Sequence, residues 1–106
     1  MELNELTDFI ELEAKRLEER FGQIEDREKL ILSSTVKVAE EFGELAQLIL
    51  AKRQRMEKGV NQNKEATSDE LADVIITILM LAHDMDIDIE KALKKKIEKV
   101  NKRYQT

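Results

Sequence analysis

The hydrophobic positions of the chain fall into four helical patterns. From Leu3 to Phe21, the residues Leu3, Leu6, Ile10, Ala14, Leu17 and Phe21 recur at steps of three and four, which predicts an amphipathic helix. Gly22 is its expected stop and Asp26 the cap of the next helix, which the pattern carries from about Arg27 to about Met56. Ser33, Ser34 and Thr35 are weak helix formers, so a bend or break is expected there. A third helix is predicted over Asp69 to Asp84 with Thr67 or Ser68 as its N-cap, and a fourth over Ile89 to Tyr104 behind Asp88. The third is unusual: from Leu71 to Ala82, apolar residues point in every direction with only Asp73 and Thr77 intervening. A helix that is apolar all round is buried all round.

Composition narrows the class without changing this picture. The 106 residues suit one domain, 1–106, with a modest core. With 39% charged residues, no Pro and three Gly, the chain is suited to an all-α fold. The net charge of −5 argues against nucleic acid as the main partner. There is no Cys, which excludes disulfides and thiolate metal sites. The acidic, amphipathic start does not read as a signal peptide, and the apolar run of the third helix is too short to cross a bilayer. A soluble cytoplasmic protein, with no membrane partner, is the expectation.

Charge is distributed with a pattern of its own. Glu41 and Glu44 lie three apart in the second helix, and Glu70 and Asp73 lie three apart in the third. Residues i and i+3 of a helix share a face, with Cβ atoms about 5–6 Å apart, so each pair can act as a two-carboxylate claw. Facing each other on antiparallel helices, two claws would make a four-carboxylate cluster suited to a hard cation such as Mg²⁺, Mn²⁺ or Ca²⁺. Each pair also has a plainer reading. Glu41 and Glu44 share one arc with Lys37 and Glu40, opposite Val38, Ala39, Phe42, Leu45, Ala46 and Ile49, and for that helix alone a solvated charged stripe is the simpler account. Thr67 with Glu70 can form a capping box, which leaves Asp73 unexplained at the mouth of a buried helix.

The basic residues are also grouped. Lys52, Arg53, Arg55, Lys58 and Lys64 surround a predicted loop at about 57–66, read equally well as a solvated helix end or as a lid that brings cations to a polyphosphate. The last helix carries seven basic residues against Glu90 and Glu98, hence +5 over Ile89 to Tyr104. That face is either solvated or a grip for phosphates. His83 reads as a helix-end group. The Asp84, Asp86, Asp88 run lacks the Gly and closing Glu of a calcium loop.

KVAEEFGEL followed by DELADVIITILMLAHDMDIDIEKAL resembles the MazG-like nucleoside triphosphate pyrophosphohydrolases. The shared pattern is Glu-x-x-Glu then Glu-x-x-Asp, here Glu41, Glu44, Glu70 and Asp73, and the likeness covers Lys37 to Tyr104. The resemblance implies a four-helix antiparallel bundle completed by oligomerisation, as a homodimer or homotetramer with the active site near a subunit interface. It implies Mg²⁺-dependent cleavage of an NTP or dNTP between the α- and β-phosphates, with Mn²⁺ as a substitute metal. By motif position Glu41, Glu44, Glu70 and Asp73 would be the metal ligands. One of them, or Glu40, would help to position the attacking water, and Lys37, Lys96 and Arg103 would contact phosphates. Two rivals stand beside this reading: a non-catalytic helical oligomerisation module, and a phosphoribosyl-ATP pyrophosphohydrolase.

Overall fold

The computed structural model describes residues 1–54 and 64–105. Among them are four helices and no strand: α1 (Leu3–Phe21), α2 (Arg27–Gln54), α3 (Lys64–Asp84) and α4 (Ile89–Lys102). No helix among the described residues is long and apolar enough to cross a membrane. The continuation of α2 to Met56 and most of the expected lid lie outside the described residues.

Local chemistry sets most of the boundaries. Gly22 ends α1 at φ 87°, with its N–H donating to the Glu18 carbonyl at 2.8 Å; this is a conformation that costs Gly little and other residues more. The Asp26 carboxylate accepts from the backbone N–H groups of Glu28 and Lys29 at 3.0 and 3.3 Å. Asp88 accepts from the Lys91 N–H at 3.1 Å. Both satisfy donors that a helix start leaves unpaired.

Two expectations are corrected here. The helix continues unbroken through Ser33, Ser34 and Thr35, because the hydroxyls of Ser34 and Thr35 find partners that leave the backbone ladder intact. Thr35 donates to the Ile31 carbonyl at 2.7 Å, and Ser34 donates across to Asp84. The start of α3 also differs: Lys64, Glu65 and Ala66 are already helical, and Ser68 donates back to the Lys64 carbonyl at 2.8 Å. Ser68 and Thr67 are therefore interior residues rather than caps. Glu70 sits in the second turn, so a capping box does not account for it.

Packing centres on α2 and α3, which run antiparallel, with α1 laid against α3. Ser34 beside Asp84 marks one end of the seam, and the Arg27 guanidinium reinforces it by donating to the Met85 carbonyl at 3.3 Å. The buried apolar residues Ile10, Leu45, Val74, Leu79 and Ala82 come from these three helices. α4 packs against none of them to a comparable degree, and no residue within it is buried. The radius of gyration, 17.1 Å, exceeds the ~13 Å of a compact domain of this length. The single chain is thus an open arrangement of a helical pair, a supporting helix and a loosely packed fourth helix.

The seam makes one prediction. Ser34→Ala removes a donor from Asp84, whose side chain is only 9% exposed, and is expected to cost about 1–2 kcal/mol because a shielded acceptor loses its partner. Urea unfolding should show a lower midpoint at unchanged slope; an unchanged midpoint would remove the seam from the account of stability.

Candidate metal centre

The antiparallel register that joins Ser34 to Asp84 also brings the middle of α2 opposite the early part of α3. One carboxylate oxygen from each of Glu41, Glu44 and Glu70 lies within 4.8 Å of the other two. Three like charges at that spacing repel, and repulsion grows as water is withdrawn. Water is partly withdrawn here. Glu41 is buried, 8% exposed, although the sequence wheel places it on the charged arc. Glu70 Oε2 is shielded and has no hydrogen-bond partner among the described residues. An orphaned buried acceptor is rare and calls for a partner.

The protonation equilibria carry the same signature. Burial pushes the Glu70 carboxyl up from its ordinary value, and the negative charges of Glu44, Asp73, Glu41 and Asp69 push it further. Asp73 is also raised, first by burial, then by Asp69 and Glu41, with Lys37 acting in the opposite direction. Lys37 places its Nζ 3.2 Å from Glu41 Oε1 and 3.7 Å from Glu40 Oε2. The hydrogen bond and charge of Glu41 raise the ammonium above its usual value. That single, largely exposed cation does not neutralise the cluster.

The candidate residues from the sequence are therefore distributed unevenly. Glu41, Glu44 and Glu70 converge. Asp73 lies close enough to feel their charge without joining the three, since its side chain is one methylene shorter and stands a turn further along α3. Glu40 is exposed and paired with Lys37. Lys96 on the loosely packed α4 and Arg103 at its end form no ion pair with these carboxylates among the described residues. An open depression of about 470 Å³ lies beside the cluster, lined by Glu44, Gln47, Leu48, Ala66, Asp69 and Glu70. Asp69 was not singled out by spacing, although its position one residue before Glu70 puts a further carboxylate at the mouth.

A hard cation fits this donor set. Its oxygen ligands stand about 2.0–2.6 Å away, so two on opposite sides are about 4–5 Å apart. The three oxygens already lie within that span, all are carboxylate, and the orphaned Glu70 Oε2 needs a positive partner.

Fold and cluster together define an all-α chain with a carboxylate centre between two antiparallel helices. The sequence profile of the MazG-like family matches residues 32–106, most of the chain and all of the cluster, and the protein belongs to that family. No curated protein and no solved structure matches it.

Proposed function

We propose that the protein is a divalent-metal-dependent nucleotide pyrophosphohydrolase that cleaves an NTP or dNTP between the α- and β-phosphates. The observation that carries this reading is the convergence of one carboxylate oxygen each from Glu41, Glu44 and Glu70 within 4.8 Å of one another, with Glu70 also holding a shielded, partnerless Oε2. MazG-like membership supplies the reaction class, and the chemistry of the cluster agrees with it.

Glu41, Glu44 and Glu70 would hold Mg²⁺, or Mn²⁺ in its place, with Asp73 at the edge of the set. When bound, such a cation neutralises charge on the polyphosphate and polarises its oxygens. The chain's own residues do the positioning. Lys37 engages Glu41 Oε1 at 3.2 Å and so helps to hold that carboxylate in place beside the centre. Asp73 and Glu40 are the carboxylates left to orient a water molecule and accept its proton. The open depression beside Glu44 and Glu70 gives the triphosphate a route of entry. The enzyme would work as a homodimer or homotetramer, because Leu71, Ile75 and Ile78 of α3 remain about half exposed in the single chain.

The test is pyrophosphate release from the eight common NTPs and dNTPs and from phosphoribosyl-ATP, with and without Mg²⁺. Metal-dependent release from at least one nucleoside triphosphate is expected. Release from phosphoribosyl-ATP alone would move the assignment to that enzyme class. No release from any of the nine would overturn the hydrolase reading and favour a helical oligomerisation module.

A further inference from the structure

The depression beside the cluster differs in chemistry from the rest of the α2–α3 seam. At about 470 Å³ it falls within the ~300–1,000 Å³ of small-molecule sites. Its inner wall is formed by Glu44 and Glu70, and the shielded Glu70 Oε2 has no hydrogen-bond partner among the described residues. Its outer wall lies one turn further along each helix: Gln47 and Leu48 follow Glu44 by three and four positions, and Ala66 precedes Glu70 by four. Asp69 stands at the mouth. Among the described residues no Lys or Arg lines it. The outer part therefore offers a carboxylate, an amide and two apolar surfaces. That set suits an uncharged group with hydroxyl donors and repels a phosphate.

The two ends of the seam differ in charge. Lys37, with its Nζ 3.2 Å from Glu41 Oε1, precedes Gln47 by ten positions, so about 15 Å of helix separates the ammonium end of this face from the amide end. Asp69 lines the depression together with Gln47, whereas Lys37 acts on Asp73, one turn of α3 away. A nucleoside triphosphate has a matching polarity, anionic at its phosphate end and uncharged at its nucleoside. When the middle of such a molecule lies at the cluster, one end runs toward Lys37 and the other into the depression. Lys37 attracts phosphates and Asp69 repels them, so both favour the same direction.

The lining also separates sugars. A ribose presents vicinal 2′- and 3′-hydroxyls, and a carboxylate can accept from both through its two oxygens. A deoxyribose presents only the 3′-hydroxyl there. Hydrogen bonds to a charged acceptor are the stronger kind, so the missing one is felt. Gln47 carries donor and acceptor on one amide and can turn to suit any base, which makes it a poor discriminator.

We propose that the depression seats the nucleoside of the substrate, with Asp69 accepting from the ribose hydroxyls and Gln47 and Leu48 beside the base. The enzyme then prefers ribonucleoside to deoxyribonucleoside triphosphates and separates sugars more sharply than bases. The phosphates enter through the depression first and the nucleoside stays behind in it, with the pyrophosphate end toward Lys37. This assignment rests on the hydrolase reading for its substrate.

Two measurements on the full chain test it. In the first, kcat and KM are determined with Mg²⁺ for the four NTPs and the matching dNTPs. Wild type should favour each NTP by ~10-fold or more in kcat/KM, the size of one hydrogen bond to a charged group. Asp69→Ala should bring the ratio to within about twofold, chiefly through KM for the ribonucleotides, and Asp69→Asn, which keeps one acceptor oxygen, should retain part of it. The ratio is the proper readout, because the paired substrates carry equal charge and the loss of the Asp69 charge affects both alike. The second measurement needs no turnover: ¹⁵N-resolved NMR of the protein with Mg²⁺ and either α,β-imido-ATP or inorganic triphosphate. The nucleoside is what distinguishes these two ligands, so the resonances that differ between them should be those of Gln47, Leu48, Ala66 and Asp69. Differences centred on Lys37 instead would reverse the direction and overturn the proposal, as would a sugar preference that is absent or survives Asp69→Ala; in those cases pyrophosphate release by wild type leaves the hydrolase reading intact. If no triphosphate is cleaved while the imido analogue still shifts the four residues, the hydrolase reading fails and the nucleoside seat stands. Neither release nor shifts would overturn both.

Discussion

Glu70→Gln is expected to lower metal-dependent pyrophosphate release by a factor of ~10²–10³ or more, the range seen when one preorganised electrostatic contact is removed from a reacting centre. The fold should persist, because the substitution keeps the shape of the side chain and removes a charge that is costly where it stands. Metal-free stability should in fact rise at neutral pH. The sign follows from linkage. Glu70 and Asp73 have carboxyls raised by burial and by neighbouring carboxylates, so between their ordinary and raised values the folded chain holds more protons than the unfolded one. Wherever the folded state holds more protons, stability falls as pH rises. Their contribution is complete below the ordinary carboxylate range and is lost as pH climbs through the raised values. The metal-free wild type should therefore lose stability across that window, and Glu70→Gln should lose less. Full activity in Glu70→Gln, or a steeper pH loss than wild type, would remove Glu70 from the centre.

Much of this arrangement was legible in the sequence, and the misses share a cause. Gly22, Asp26 and Asp88 mark helix ends through hydrogen bonds made within three or four residues, so local spacing was enough to read them. The beginning of α3 was misplaced because Ser68 can cap a helix or bond back to the carbonyl four residues earlier, and it does the latter. Sequence alone gives no preference between two local partners of similar quality. The faces of α2 show a different limit. A helical wheel separates Glu41 and Glu44 from Phe42 and Ile49, and it suggests that the apolar arc meets the core. Instead α3 packs on the border between the arcs: Leu45 and Glu41 are buried, whereas Phe42 is 61% exposed. The available signal was width, since the apolar arc of α2 is broader than one neighbouring helix can cover.

That oblique contact is also what makes the cluster. Had α3 met the centre of the apolar arc, the claws would have pointed into water on opposite flanks, as the solvated-stripe account of α2 requires. Rotation of α2 toward its charged edge carries Glu41 under α3 and leaves Phe42 and Ile49 for another surface. Burial of an acidic residue and exposure of two apolar ones are thus a single packing decision. Asp73, shorter and a turn beyond Glu70, stays at the edge of the set, where Glu41 and Lys37 of the same edge of α2 still act on it.

Mg²⁺ added to the substrate-free protein is expected to produce the largest change in stability. A ligand that binds only the folded chain, at a hundredfold excess over its dissociation constant, adds about 2.7 kcal/mol. A domain of this size shifts by about 4–8 °C per kcal/mol, so Tm should rise by about 10 °C or more. The competition between proton and metal for the same oxygens gives the effect a distinctive form. A cation requires the ionised carboxylates that the metal-free fold disfavours, so its stabilisation should grow as pH rises through the raised values of Glu70 and Asp73 while metal-free stability falls. Opposite slopes with and without Mg²⁺, measured by thermal unfolding between about pH 5 and 8 at constant ionic strength, cannot come from screening, which would act equally with NaCl. Glu70→Gln should flatten both slopes. Parallel slopes, or an equal shift with NaCl, would mean that the three carboxylates share a location without sharing an ion.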